Sequence, residues 1–368
     1  VRDGDVVVIG GGYAGVRLAK RLDASARVTL IDRKEVFFHR IASLRAGVDP
    51  EWTSTPFIPY DRLLTHGRIV VGKALRIDTD ARNVVLATGE RIPYDVLVVA
   101  TGADYPEPAR FTGTTVEEAS KAFVGHQQKI AGAGHVLIVG GGPSGVELAA
   151  EIRLARPHAR VTLAHAGEAL LDATGSAWAG RRARNWLESH DVDVRLGSFM
   201  APGTEFGVYK DAQGGTMTAD VSFWATGITP NTLWLRLAGH GDWLNPAGHI
   251  KVDRALRVTG LRDVFAVGDV NDAADQKITQ AAIAQADLAA HNIRVHLTTQ
   301  GRHRKEPRLY RAPHRSPLIV PFGGADGLTL VPVPGGESAV LGSRTTTVAK
   351  AKTLMTPYMR RQLGYTAA

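Results

Sequence analysis

The sequence predicts an α/β protein built from two copies of one βαβ plan and a small α+β region after them. Three matched stretches, in the same order, carry that reading. VVVIGGGYAGV at 6–16 returns as VLIVGGGPSGV at 136–146, and RVTL at 27–30 returns at 160–163. DVLVVATG at 95–102 is echoed by DVSFWATG at 220–227. Each copy opens with a continuous apolar run, the pattern of a parallel strand covered on both faces. A glycine-rich turn follows, then a helix whose apolar positions are Val16, Leu18, Ala19 and Leu22 in the first copy and Val146, Leu148, Ala149 and Ile152 in the second.

A lone G-x-G-x-x-G says little, but here it stands between strand and helix both times. Gly10 and Gly140 permit the tight turn. Gly12 and Gly142 lack a Cβ, so the backbone can approach a diphosphate, and Gly15 and Gly145 let helix and strand pack closely. The N–H groups at the helix start, with their partial positive charge, hold the anion. Two adenine dinucleotides are therefore expected.

The second strand of such a unit ends in an acid that bonds the adenosine ribose. Asp32 takes that place in the first copy, seventeen residues after Gly15. The second copy has His165 there, between Ala164 and Ala166, with no carboxylate to repel a 2′-phosphate. On this reading NADPH is favoured and NADH accepted. Arg181, Arg182 and Arg184 follow as phosphate partners or as a solvated basic face.

The composition narrows the chemistry. At 368 residues, 44% hydrophobic and 22% charged, the chain is globular and long enough for two or three domains. It has no cysteine, which removes disulfide, iron–sulfur and thiolate–zinc chemistry. The thirteen histidines show no metal-ligand spacing. Residues 301–368 hold 11 Lys/Arg against 3 Asp/Glu and so carry the whole formal charge of +8. A basic end on a neutral body suits an anionic partner such as a membrane surface or an acidic electron carrier, and equally a solvated surface. The aromatic-interleaved basic pattern of a nucleic-acid module is lacking. With no membrane-spanning run and no secretory signal, a cytoplasmic location is expected, with contact at the inner face of the membrane through the basic region.

Ala100-Thr101-Gly102 and Ala225-Thr226-Gly227, the latter continuing Ile228-Thr229-Pro230-Asn231, resemble the crossover motifs of two-dinucleotide-domain flavoproteins, the pyridine nucleotide-disulfide oxidoreductase superfamily. DVFAVGD at 263–269 is similar to their second FAD fingerprint. The resemblance extends over essentially the whole chain to the ferroptosis-suppressor branch of the apoptosis-inducing-factor family, NAD(P)H:quinone oxidoreductases. Phe38-His39, Ser43-Leu44-Arg45-Ala46, Lys277 with Ala281–Ala286, and Gly324–Gly327 with Thr346, Lys350 and Leu354-Met355 carry it. It departs from the quinone-site helix A-Q-x-A-x-Q of related type II enzymes, keeping Gln280 and Ala282 but placing Ala284 at the second Gln.

The resemblance implies a glutathione-reductase-like architecture. Residues 1–105 and 232–296 would form a discontinuous FAD domain, 106–231 an NAD(P)H domain and 297–368 a small C-terminal domain, its short strands marked by Pro313, Pro317, Pro321, Pro332 and Pro334. It implies FAD contacts at Gly10, Gly12, Tyr13, Ala14, Gly15, Asp32, Arg33, Arg45, Thr101, Gly102, Gly268, Asp269 and Lys277. The coenzyme would meet Gly140, Gly142, Pro143, Ser144, Gly145, Glu147, His165, Thr226 and Gly227. Glu147 matches the acid beside the nicotinamide–flavin junction. Lys277, a cation at a helix start where the macrodipole disfavours it, is expected to stabilise negative charge on the reduced flavin with the dipole. The run Ala281, Ala282, Ala284, Ala286 suits a helix packed under a flat ring or a strand, and equally follows from ordinary helix propensity. Hydride would pass from NAD(P)H to FAD, and electrons onward to a quinone. A ferredoxin or rubredoxin reductase is the first alternative, and a flavin-bound redox sensor of the apoptosis-inducing-factor kind the second.

Overall fold

A strand with no polar face is stable only inside a sheet covered on both sides. The computed structural model, which describes residues 4–298, 306–313, 316–333 and 338–366, places each apolar run in such a sheet. The first sheet is all parallel, in the order Val264–Ala266, Val96–Val99, Asp5–Ile9, Arg27–Asp32, Arg68–Val71. The second, also parallel, runs Val192–Arg195, Arg160–Ala164, His135–Val139, Val221–Trp224. Their central strands match one for one, so the sequence repeat is a repeat of topology. The repeat reaches further than the motifs. Before its last shared strand each unit inserts a three-stranded antiparallel meander, at Ala74–Asp78, Asn83–Leu86 and Arg91–Pro93 and at Met200–Pro202, Val208–Asp211 and Thr216–Thr218.

Helix α1 (Tyr13–Leu22) follows the first glycine turn; α2 (Arg40–Ala46) and α3 (Val116–Gly132) come next, and α4 (Pro143–Ala155) follows the second turn with Pro143 at its first position. Beyond it lie α5 (Ala177–Ser189), the short α6 (Leu233–Leu237) and the long α7 (Thr279–Thr298). Several alanines of α7 pack on another helix. Ala282, Ala286, Ala289 and Ala290 share a core with Ala14, Leu18, Ala19 and Leu22 of α1. Small side chains let the two axes come close, and Asp287 locks the pair by taking Nε and Nη2 of Arg17 at 2.8 and 2.9 Å.

The chain crosses between the two units along one ribbon. Ala103–Asp104 pairs antiparallel with Thr229–Pro230, and Thr101 and Asn231 exchange two hydrogen bonds beside this ribbon, at 2.9 and 3.1 Å. The C-terminal strands Leu318–Phe322, Asp326–Pro332 and Ser338–Leu341 form an antiparallel sheet. Pro321 and Pro332 fall in those strands, Pro313 and Pro317 before them, and Pro334 lies outside the described residues, as do Arg302, Arg304, Lys305 and Arg315 of the basic region. Among the described residues the sheet has no core of its own. Val320, Phe322, Leu328 and Leu330 join the core of the second unit, while Met359 and Leu363 join that of the first. Among the described residues no helix is long and apolar enough to cross a membrane.

A Cβ on Gly15 would lie 1.8 Å from the Gly10 carbonyl oxygen, and one on Gly145 the same distance from that of Gly140. Gly15→Ala is therefore expected to destabilise the protein by about 1–3 kcal/mol and to lower its flavin content. Gly125→Ala, in α3 with nothing within 4 Å of the new Cβ, should be neutral or stabilising by about 0.5–1 kcal/mol. Denaturant unfolding of both variants separates the two effects.

Candidate functional site

The first glycine turn opens onto a cleft with a cavity volume of 360 Å³. Gly10 adopts φ +107° and a Cβ there would strike the Ala100 carbonyl at 2.3 Å, whereas a Cβ on Gly12 would meet nothing within 4 Å. Gly12 thus keeps open the space in front of the α1 N-terminus, whose first N–H groups have no partner within the helix. Tyr13, Ala14, Asp32, Arg33, Thr101, Gly102, Gly268 and Asp269 line the same cleft. Asp32 is buried, and its Oδ2 accepts the Gly11 N–H at 2.5 Å and the Tyr60 hydroxyl at 3.1 Å. Lys34, which the sequence does not single out, also lines the cleft and holds Asp32 at 2.7 Å. At the other motif, Gly268 turns at φ +82° and Asp269 Oδ2 accepts the Tyr105 hydroxyl at 2.7 Å. Arg40 stacks 3.7 Å over the Tyr105 ring and stands 3.8 Å from Asp269.

A second cavity of 170 Å³ shares Tyr13, Arg40, Tyr105, Ala109, Asp269 and Ala282 with the first. Its far wall comes from α4, with Pro143, Ser144 and Glu147, and its cover from Leu318, Ile319, Lys350 and Met355. Glu147 is buried and pairs with Lys350 Nζ at 2.7 Å; Lys350 also donates to the Ile319 carbonyl at 3.0 Å. Burial pushes the Glu147 carboxyl up, and the Lys350 ammonium opposes that rise. The C-terminal region thus supplies the cation that neutralises an acid of the second unit.

In the second copy Gly140 has φ +118°, a Cβ on Gly142 would meet nothing within 4 Å, and Gly227 turns at φ +79°. Thr226 and Ser144 line a 60 Å³ cavity between the two units. His165 ends its strand as Asp32 does, with Nδ1 accepting the Gly141 N–H at 3.1 Å.

Two residues expected at the flavin make their bonds within the protein. Arg45 lines neither of the two larger cavities. Its side chain is buried against α4, bonded through Nε and Nη2 to Glu151 at 3.0 and 2.7 Å and stacked 4.6 Å over Trp52, so it ties the units together. Lys277 lies two residues before α7, at the rim of the second cavity, and its charge is compensated. Nζ donates to the carbonyls of Asn271 and Ala273 at 2.8 and 3.2 Å, with Asp275 at 3.6 Å. Arg40 is the cation that faces both cavities. Gln285, also unforeseen, accepts the Gly268 N–H at 2.8 Å and fixes the turn that presents Asp269.

Beneath Tyr13 lies a fully buried His39. Its Nδ1 takes the Tyr13 hydroxyl at 2.9 Å and its Nε2 meets the Leu354 carbonyl at 2.7 Å. Nε2 must donate to that carbonyl, and in the neutral ring Nδ1 then accepts from Tyr13. Leu354 and Met355 are both left-handed, at φ +48° and +61°, an arrangement that costs backbone energy and needs outside support. Burial lowers the His39 pKa to about 4, against the raising effect of the Leu354 hydrogen bond.

The sequence model of the pyridine nucleotide-disulphide oxidoreductases matches residues 4–288. The chain belongs to this family. Apoptosis-inducing factor homolog B of Dictyostelium discoideum is 28% identical, with 95% of this chain and 94% of that protein covered. Ferroptosis suppressor protein 1 of Homo sapiens is 30% identical over 78% of this chain and 79% of its own. Among solved structures, the sulfide:quinone oxidoreductase of Aquifex aeolicus superposes with a TM-score of 0.77 at 20% identity, covering 98% of this chain and 91% of that one. The fold is the two-unit FAD/NAD(P)-binding fold, and the protein is an FAD-dependent NAD(P)H oxidoreductase. The first cleft fits FAD: it joins an open phosphate position at Gly12, a buried acid at Asp32 and a second acid at Asp269.

His39 gives a pH dependence with a definite sign. Its folded pKa of about 4 lies below the ordinary 6.5, so the stability it contributes is full above 6.5 and is lost as pH falls toward 4. That loss amounts to about 3 kcal/mol. His39→Gln keeps a donor for Leu354 and does not titrate. Urea unfolding at neutral and acid pH should show a shallower decline in the variant than in the wild type.

Proposed function

We propose that the protein passes electrons from NAD(P)H through FAD to a quinone. The observation that carries this reading is the second cavity, a chamber that opens beside the flavin cleft and whose cover includes the apolar side chains of Leu318, Ile319 and Met355. A cysteine-free chain has no thiol pair to relay electrons, so the acceptor must reach the flavin itself. The Aquifex relative in fold is a sulfide:quinone oxidoreductase, and a flat apolar acceptor suits such a chamber.

When bound, FAD supplies a two-electron relay between a hydride donor and an acceptor. This chain's residues bind and orient. Gly10, Gly12, Asp32, Thr101, Gly102 and Asp269 hold FAD, with Arg33 and Lys34 at the adenosine side. Gly140, Gly142, Pro143, Ser144, Gly145, His165, Thr226 and Gly227 hold the coenzyme, and Glu147 meets its reactive end. Glu147 and Lys350 compensate each other in the chamber wall, which also carries Arg40, Asp269 and Lys277. Lys277, committed to two carbonyls, acts on the flavin edge through the loop it clamps.

α4 and the C-terminal cover line one chamber, so donor and acceptor alternate in it. Initial rates with NADH or NADPH and a short-chain ubiquinone should give parallel double-reciprocal lines. Converging lines would contradict the shared chamber. Faster turnover on ferredoxin than on any quinone would favour a carrier reductase, and feeble turnover with every acceptor a redox sensor. Lys277→Ala is expected to lose FAD more readily on gel filtration. Its flavin midpoint potential should stay within about 30 mV of the wild type, since about 1.4 kcal/mol corresponds to that shift.

A further inference from the structure

Asp32 and His165 hold equivalent stations, each accepting the N–H of the middle glycine of its turn, Gly11 at 2.5 Å and Gly141 at 3.1 Å. With Nδ1 used as acceptor, the ring hydrogen of His165 is on Nε2. That nitrogen is buried and makes no hydrogen bond within the protein. The group nearest to satisfying it is the Asp172 carboxylate, whose Oδ2 stands 3.4 Å away.

Asp172 arrives there by a backbone route that the strand pattern does not announce. Leu171 is left-handed at φ +55°, and its N–H donates to the Gly141 carbonyl at 2.9 Å, pinning the loop beside the glycine turn. Gly167 leaves the room needed, since a Cβ there would lie 2.5 Å from Asp172 Oδ2 and 2.9 Å from His165 Nε2. Asp172 Oδ1 is occupied by the Ala173 N–H at 2.8 Å, whereas the side chain remains 51% exposed. Three of the cations that could greet a phosphate are engaged elsewhere, and a fourth, Arg181, is exposed on α5. Arg182 is bonded to Asp326 at 3.0 Å and Ser343 at 3.2 Å, Arg184 to Glu188 at 2.7 Å, and Arg195 to Asp193 at 3.1 Å.

We propose that Asp172 supplies, from the loop after the strand, the carboxylate that the strand end lacks, and that the second cradle therefore selects NADH over NADPH. The proposal rests on the reading that this cradle holds the nicotinamide coenzyme, and it reverses the preference that the strand-end histidine alone suggests. A ribose 2′-hydroxyl finds an acceptor in the His165–Asp172 pair; a 2′-phosphate meets the negative charge of Asp172.

The test compares kcat/KM for NADH and NADPH in the holoenzyme, wild type and Asp172→Asn. The wild type should prefer NADH by at least about tenfold, and the variant should narrow the ratio by about tenfold, chiefly through a gain on NADPH. Because the discrimination is electrostatic, it should shrink in the wild type as salt rises from about 50 to about 500 mM. That readout requires no variant to fold. Equal use of both coenzymes by the wild type, or a variant that slows both alike, overturns the proposal. Calorimetric titration with adenosine 5′-monophosphate and adenosine 2′,5′-bisphosphate separates the two levels. Equal binding of the two removes the role of Asp172 and leaves the coenzyme assignment standing. If neither binds and neither coenzyme reduces the flavin, the assignment falls and the proposal with it.

Discussion

The structure depends on an approach too close for any side chain. In each unit the first turn of a helix lies against the carbonyl of the turn that precedes it, at a separation that only glycine at position 15 or 145 allows. That contact sets the axis of α1 and of α4, and with it the direction in which their unpaired N–H groups point. Cleft, acid and crossover strand then follow as neighbours of a fixed helix end. A second close contact reinforces the first, because the crossover carbonyls of Ala100 and Ala225 abut the glycine turns themselves.

The C-terminal region completes the site without being an independent body. Its sheet is buried on the second unit, Met359 and Leu363 on the first, and between them Lys350 and the Leu354 carbonyl reach Glu147 and His39. Both contacts are made in places from which water is largely excluded, so they are costly to leave unmade. The left-handed pair Leu354–Met355 is held by this arrangement, and Met355 is thereby presented to the chamber.

The repeat, the glycine roles and the acids at 32 and 269 were legible in the sequence because each follows from a local pattern with one physical meaning. The residues that were not legible depend on direction or on distant partners. Arg40 and Arg45 sit on one short helix, five residues and so about 140° apart. Nothing in composition says which faces the cleft, and the half-buried Glu151 on α4 decides it. Lys277 looked unpaired because its partners are backbone carbonyls, which carry no sequence signature. The alanines of α7 are compatible with any close neighbour, and the neighbour is α1. The two meanders are made of strands of three to five residues, too short for alternation to be read against the surrounding loops.

The ribbon between the two crossover strands has an implication for how such a chain can be assembled. The chain leaves the first unit at Gly102 and comes back at Asn231, and the carbonyl of one is bonded to the N–H of the other at 3.0 Å. Exit and re-entry thus occupy a single point on the first unit's surface. A segment as long as residues 103–230 could be lifted out and the gap spliced by a very short peptide, without stretching the flanking strands. The geometry is that of one module spliced into a loop of its own duplicate.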